Sequence, residues 1–146
     1  MREILFRGKS VNGIGWIEGS LRITTIQPAD DAPFKHYEIE DTTCGVFPSD
    51  FMSGVCETVD PETVGQYTGL TDKNGTKIFE GDILSTENGT FRNTGMGHVL
   101  FYKGMWTSFY GQDAIGRDCF DELHTVCNSR EVIGNIHDNP ELLEGE

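Results

Sequence analysis

The stretch Pro61-Glu62-Thr63-Val64-Gly65-Gln66-Tyr67-Thr68-Gly69-Leu70-Thr71-Asp72-Lys73-Asn74-Gly75-Thr76-Lys77-Ile78-Phe79-Glu80-Gly81-Asp82-Ile83-Leu84 reads as strand, turn, strand. Residues Glu62 to Gly69 alternate, with Val64, Gln66 and Thr68 on one side and Thr63, Gly65 and Tyr67 on the other. Period two is the strand period, because successive side chains leave opposite faces. Asp72-Lys73-Asn74-Gly75 is turn chemistry, since Asn-Gly readily takes positive φ. Thr76 to Phe79 re-enters an extended run. Glu80-Gly81-Asp82 interrupts it, and Ile83-Leu84 resumes it. A glycine between two carboxylates in a strand pattern marks a bulge or a tight bend.

Working outward, the same alternation recurs along most of the chain. Glu3 to Arg7 is an expected strand with Ile4 and Phe6 on one face. Gly15 to Ile26 is a second, kinked at Gly19. Gln27 to Pro33, with two prolines and Asp30-Asp31, is a loop. Phe34 to Glu40 alternates again, Tyr37 and Ile39 facing one way, His36 and Glu38 the other, which makes His36 a solvent-side strand residue. Between Thr42 and Val59 the pattern offers a helical turn at Pro48-Ser49-Asp50 and a strand over Val55 to Val59. Thr86 to Gly97 is a polar, exposed loop. His98 to Tyr102 and Met105 to Tyr110 form a second hairpin about Lys103-Gly104, followed by a loop from Gly111 to Arg117. Asp118 to Asn128 is the expected helix, with Phe120, Leu123, Val126 and Cys127 near one face. Glu131 to Ile136 is the last strand. Asn139-Pro140-Glu141 starts a short helix with Asn139 as its cap.

The fold class expected is mainly β, α+β at its margins: short antiparallel hairpins, a small SH3-like barrel lobe and one or two short helices. Residues 1–146 make a single domain with two sub-lobes, an N-terminal β lobe over 1–60 and a C-terminal barrel-like lobe over 61–146. The 146 residues are 36% hydrophobic, enough for a core, and the 18 glycines spread along them fit many tight turns.

Twenty-four acidic residues against 11 basic ones give a net charge of -13. Such a surface repels a phosphate backbone, so direct nucleic-acid binding is not expected. No run is apolar enough for a membrane span, and the polar N-terminus does not read as a signal peptide, so a cytoplasmic location is expected. Cys44, Cys56, Cys119 and Cys127 contain no C-x-x-C pair, and free thiols are the default in that compartment.

Chemistry-bearing residues are sparse. Glu80 and Asp82 are two apart and share a face in a regular strand, within reach of one cation, although an aspartate beside a bend more often accepts backbone N–H groups. Cys119, His124 and Cys127 offer three ligands at irregular spacing and read better as structural residues. Ser108, His124 and Asp121 can be assembled into a triad on paper, but no nucleophile elbow supports it. No catalytic residue and no cofactor is assigned. The aromatic set Phe101, Tyr102, Trp106, Phe109 and Tyr110 lies on a two-faced hairpin. If one face fills the core, the other is free for association, with Tyr102, Trp106 and Tyr110 as interface candidates.

Three pieces together resemble the YopX family of phage and prophage proteins. The first is Arg2-Glu3-Ile4-Leu5-Phe6-Arg7-Gly8-Lys9 with Gly15-Trp16-Ile17-Glu18-Gly19-Ser20-Leu21. The second is Val64 to Gly75 continuing through Ile78-Phe79-Glu80-Gly81-Asp82-Ile83-Leu84. The third is Glu131 to Leu143. The resemblance implies a small, β-rich, phage-encoded protein of the bacterial cytoplasm that self-associates, and it carries no assigned chemistry. The function expected is a non-catalytic, self-associating protein-interaction module with a host or phage protein as partner. Two alternatives remain open. One is an acidic inhibitor or nucleic-acid mimic on a basic host protein. The other is a metal-dependent enzyme on nucleotides or nucleic acid that uses Glu80 and Asp82.

Overall fold

Alternating side chains and glycine-bearing turns produce strands over most of the chain, and the computed structural model describes residues 3–41, 55–85 and 96–143. The protein is mainly β; among the described residues the strand pairing is antiparallel and there is one short α-helix. The chain divides into two compact units, Met1–Gln66 and Tyr67–Glu146.

In the first unit, β1 (Phe6–Lys9), β2 (Trp16–Ile26), β3 (Phe34–Asp41) and β4 (Val55–Thr58) lie in the order β4-β3-β2-β1. The first residues of β5 (Gly65–Thr71) pair with β1 through Phe6↔Gln66 and Arg7↔Gly65. Ile17, Ile39 and Val59 form the core, with Phe6, Leu21, Tyr37 and Val64 packed on it. Burying each such aliphatic side chain stabilises by roughly 1.5–3 kcal/mol.

β2 runs through Gly19 without a register shift, pairing there with both Phe6 and Asp41. Two local expectations need correcting. Leu5 is buried and Ile4 exposed, because the strand begins only at Phe6 and the alternation before it does not apply. Pro61–Thr63 is a 3₁₀ turn rather than strand, because Asp60 accepts the Glu62 amide at 3.0 Å and Pro61 sits at the first helical position.

The second unit holds β6 (Lys77–Phe79), β7 (Asp82–Leu84), β8 (Gly97–Tyr102), β9 (Met105–Gln112), β10 (Asp118–Glu122), α1 (Leu123–Val126) and β11 (Val132–Asn135). The later part of β5 pairs with β6 through Tyr67↔Phe79 and Thr71↔Lys77. A five-stranded sheet runs β10-β9-β8-β7-β11. Its core is Ile78, Leu84, Val99, Leu123 and Cys127, joined by Leu70, Trp106 and Val132.

The expected helix over Asp118 to Asn128 is mostly replaced. Asp118 to Glu122 is strand β10, α1 covers only Leu123 to Val126, and Cys127–Ser129 is a 3₁₀ turn. Pairing with β9, from Asp118↔Gln112 to Glu122↔Thr107, overrides a helical period that rested on four apolar residues. Asn139 takes the expected cap position of the 3₁₀ turn Pro140–Leu142, with Pro140 in its first turn, but its Oδ1 accepts the Asn135 amide at 3.3 Å instead of an amide of that turn. The helical turn expected at Pro48 and most of the loop expected from Thr86 to Gly97 lie outside the described residues.

Candidate interaction surface

The β8–β9 hairpin turns at Lys103-Gly104, with φ of 50° and 83°. Positive φ at both central residues matches the twist of the flanking strands and needs no longer loop. That turn sets the register His98↔Phe109, Leu100↔Thr107, Phe101↔Trp106 and Tyr102↔Met105. Partners in an antiparallel pair share a face, so the hairpin sorts its aromatic residues.

One face carries Val99, Phe101, Trp106 and Ser108. Val99 and Trp106 belong to the core of the second unit, and Ser108 is buried. Phe101 meets Trp106 edge-to-face at 5.1 Å and is 56% exposed at the margin. Asp121 of β10 pairs opposite Ser108, and its carboxylate accepts the Tyr110 hydroxyl at 2.6 Å. Arg130 approaches the same carboxylate at 3.6 Å. Burial, then the bond to Asp121, pushes the Tyr110 hydroxyl above its ordinary pKa. Of the paper triad, Ser108 and Asp121 face each other across strands. His124 is exposed beside Glu122 at 3.5 Å.

The opposite face carries His98, Tyr102 and Phe109, extended onto β10 by Phe120, which pairs with Phe109. The rings form a continuous cluster: His98–Phe109 at 5.8 Å, Tyr102–Phe109 at 5.8 Å and Tyr102–Phe120 at 5.1 Å. These are edge-to-face or tilted contacts that aromatic quadrupoles favour. Thr107, on the same face, is fully buried and donates its hydroxyl to the Leu100 carbonyl at 3.1 Å. The four rings themselves are half-buried. Tyr102 donates its hydroxyl to Asp118, and Lys103 places its ammonium 5.3 Å from the Tyr102 ring. Desolvation holds the His98 imidazole below its ordinary pKa, so it sits in the cluster as a neutral ring.

The three residues singled out as interface candidates are therefore divided: Tyr102 lies in the half-buried cluster, Trp106 and Tyr110 on the core-packed face. Phe120 joins Tyr102 and was missed because it read as part of a helix. Asp118-Cys119-Phe120-Asp121-Glu122 carries no local strand signal, because its two apolar residues are adjacent rather than alternating; the ladder to β9 decides its place.

Glu80 and Asp82 fall on either side of Gly81, whose φ of 91° ends β6 and starts β7. The regular alternation that would put both on one face is broken there. Asp82 is buried and accepts the Phe79 amide at 2.8 Å, closing the bend. Among the described residues, no group of three or more His, Cys, Asp or Glu is arranged to hold a metal ion. Cys127 is buried in the core cluster, and Cys56, Cys119 and Cys127 are free thiols. No helix among the described residues is long and apolar enough to cross a membrane.

The family model described as YopX protein matches residues 17–144 of this chain. Among solved structures, the chain is similar to the crystal structure of protein EF1440 from Enterococcus faecalis. The two are 22% identical, with 98% of this chain and 99% of that chain covered and a TM-score of 0.48. No curated protein matches the chain.

Proposed function

The chain belongs to the YopX family, and we propose that it is a phage- or prophage-derived accessory protein of the bacterial cytoplasm that acts by binding: a non-catalytic module that self-associates and presents its β8–β9–β10 face to a protein partner. One observation carries this reading. His98, Tyr102, Phe109 and Phe120 form a contiguous ring cluster that the fold leaves half-buried, on the face opposite the one that fills the core. Aromatic side chains offer large contact area at low conformational cost and are enriched in interface cores. Asp118 and Glu122 belong to the same strand as Phe120, so the face combines rings with carboxylates and suits a partner that brings Arg or Lys side chains.

The reading is tested by light scattering at micromolar concentration together with affinity capture from the host, comparing the native chain with the Tyr102→Ser, Phe120→Ser double variant. An oligomer that captures a defined partner, lost in the double variant, supports it. A strict monomer whose captured proteins are the same with and without the rings overturns it.

A further inference from the structure

We propose that the outer half of the β2–β3 hairpin is the self-association surface, pairing edge to edge with a second copy of the chain through β2. The inference rests on the proposed self-association and specifies where it occurs.

The hairpin is longer than its neighbours. β1 covers β2 only from Trp16 to Gly19, and β4 covers β3 only from Glu38 to Asp41. Beyond them, among the described strands, β2 and β3 pair only with each other, out to Ile26↔Phe34. The hydrogen-bond phase identifies which groups face the open edge. Ser10 donates to the Gly15 carbonyl at 2.8 Å, which by alternation turns the amides and carbonyls of Ile17 and Gly19 toward β1. Val59 donates to the Tyr37 carbonyl at 3.0 Å, so Tyr37 and Ile39 address β4, and the bonds joining β3 to β2 run through His36, Glu38 and Glu40. Both phases agree. Leu21, Ile23 and Thr25 present their amides and carbonyls on the side where β1 has ended, and no described strand pairs with them there.

The side chains of that row follow the same period. Leu21 packs on the core of the first unit, and Ile23, next outward on the same face, is 49% exposed. An unpaired edge with apolar residues is a template for another strand, and native proteins usually blunt such edges with charge or proline. Between Leu21 and Ile26 this edge has a single charge, Arg22, and no proline.

A second copy fits better than another partner for two reasons. An antiparallel pair of identical strands about a two-fold axis is self-complementary. Centred on Ile23, it puts Ile23 against Ile23, Leu21 against Thr25, and each Arg22 opposite Thr24 instead of the other Arg22. Charge agrees: in a chain of net charge -13, self-repulsion opposes contact between copies over most of the surface, yet Leu21 to Ala29 contains no acidic residue.

The test uses the full chain. Ile23→Pro removes an edge N–H without touching the bonds to β3, and Ile23→Lys puts a charge at the two-fold. Each is expected to weaken self-association by roughly tenfold or more, with the melting profile of the monomer retained. Ile23→Cys under diamide is expected to give a disulfide-linked dimer, while Thr25→Cys, which faces Leu21 of the other copy, gives little. If the native chain is oligomeric, and Ile23→Lys leaves its mass unchanged while Ile23→Cys fails to cross-link, the edge is not the surface and self-association lies elsewhere. If the native chain is a monomer at all concentrations, the underlying reading fails and this inference with it.

Discussion

In the turns Asp72–Thr76 and Asp113–Arg117 the leading aspartate makes the same local bonds. Asp72 donates to the Thr76 carbonyl and Asp113 to the Arg117 carbonyl, both at 2.9 Å. Gly75 and Gly116 donate back at 3.0 Å, with φ of 82° and 83°. One carboxylate oxygen accepts the amides two and four residues ahead: Asn74 and Thr76 at 2.8 and 2.9 Å, Ile115 and Arg117 at 3.0 and 2.9 Å. The turns differ in the next amide, since Lys73 donates to the Arg130 carbonyl at 3.0 Å, and in the second oxygen. That of Asp72, in a buried side chain, accepts the Val132 amide at 2.9 Å and ties the turn to β11, 60 residues away. That of Asp113 accepts Arg117 Nε at 2.8 Å, on the surface. An Asp-x-x-Gly sequence thus encodes a turn, and its surroundings decide whether the turn also fastens distant strands.

The comparison predicts unequal costs for equal changes. Asp72→Ala leaves three amides without their acceptor, one of them at the start of β11, and is expected to destabilise by about 3–5 kcal/mol. Asp113→Ala leaves two amides that water can reach, for about 1 kcal/mol. Urea unfolding of the two variants measures both, and equal losses would break the argument that β11 depends on Asp72. Asp72→Asn sharpens it. A carboxamide keeps one acceptor for the turn but turns N–H groups toward Val132, so amide exchange at Val132 is expected to accelerate while that of Asn74 stays slow.

Gly75→Ala and Gly116→Ala come next. Both backbones are left-handed and no atom lies near the added methyl, so each is expected to cost about 1–2 kcal/mol, and by the same amount. A large difference would show that the turns are not locally equivalent.

Acid distinguishes them further. Burial pushes the Asp72 carboxyl up, but the amides of Val132, Thr76 and Asn74 and the Lys73 charge outweigh it and hold the pKa below its ordinary value. A depressed folded pKa contributes stability that is present above the unfolded carboxylate value and lost as pH falls through the folded one. The native chain is therefore expected to lose stability in that acidic window, and Asp72→Asn to lose less. The smallest effect belongs to Arg117→Ala. It removes an exposed ion pair worth about 0.2–1 kcal/mol that weakens in high salt, and a melting shift independent of salt would show another role for the arginine.

Much of this was legible in the residues. The turn at Asp72 to Gly75 is written in Asn74-Gly75, although Gly75 takes the positive φ and Asn74 does not. The hairpin at Lys103-Gly104 and the paired strands Trp16–Ile26 and Phe34–Asp41 follow from period two and their glycines. What misled was the helical period from Phe120 to Cys127. Leu123, Val126 and Cys127 do follow a helical turn, but Phe120 belongs to a strand. Nothing local reveals that, because the deciding interaction is the ladder to β9. The partition of the aromatic hairpin was half legible: two faces were implied, but which rings the core would take depended on where Ile78, Leu84 and Leu123 packed.

By itself the sequence determined the turns, the strand periods and the family, because those depend on backbone dihedral preferences and side-chain alternation within a few residues. Only the tertiary structure decided that Asp72 anchors β11 while Asp113 stays at the surface, that Asp118 to Glu122 extends a sheet, and that Tyr102 and Phe120 share one half-buried face while Trp106, itself partly buried, packs against the core on the other. Those outcomes depend on which groups lose water together, and that is set by residues far apart in the chain.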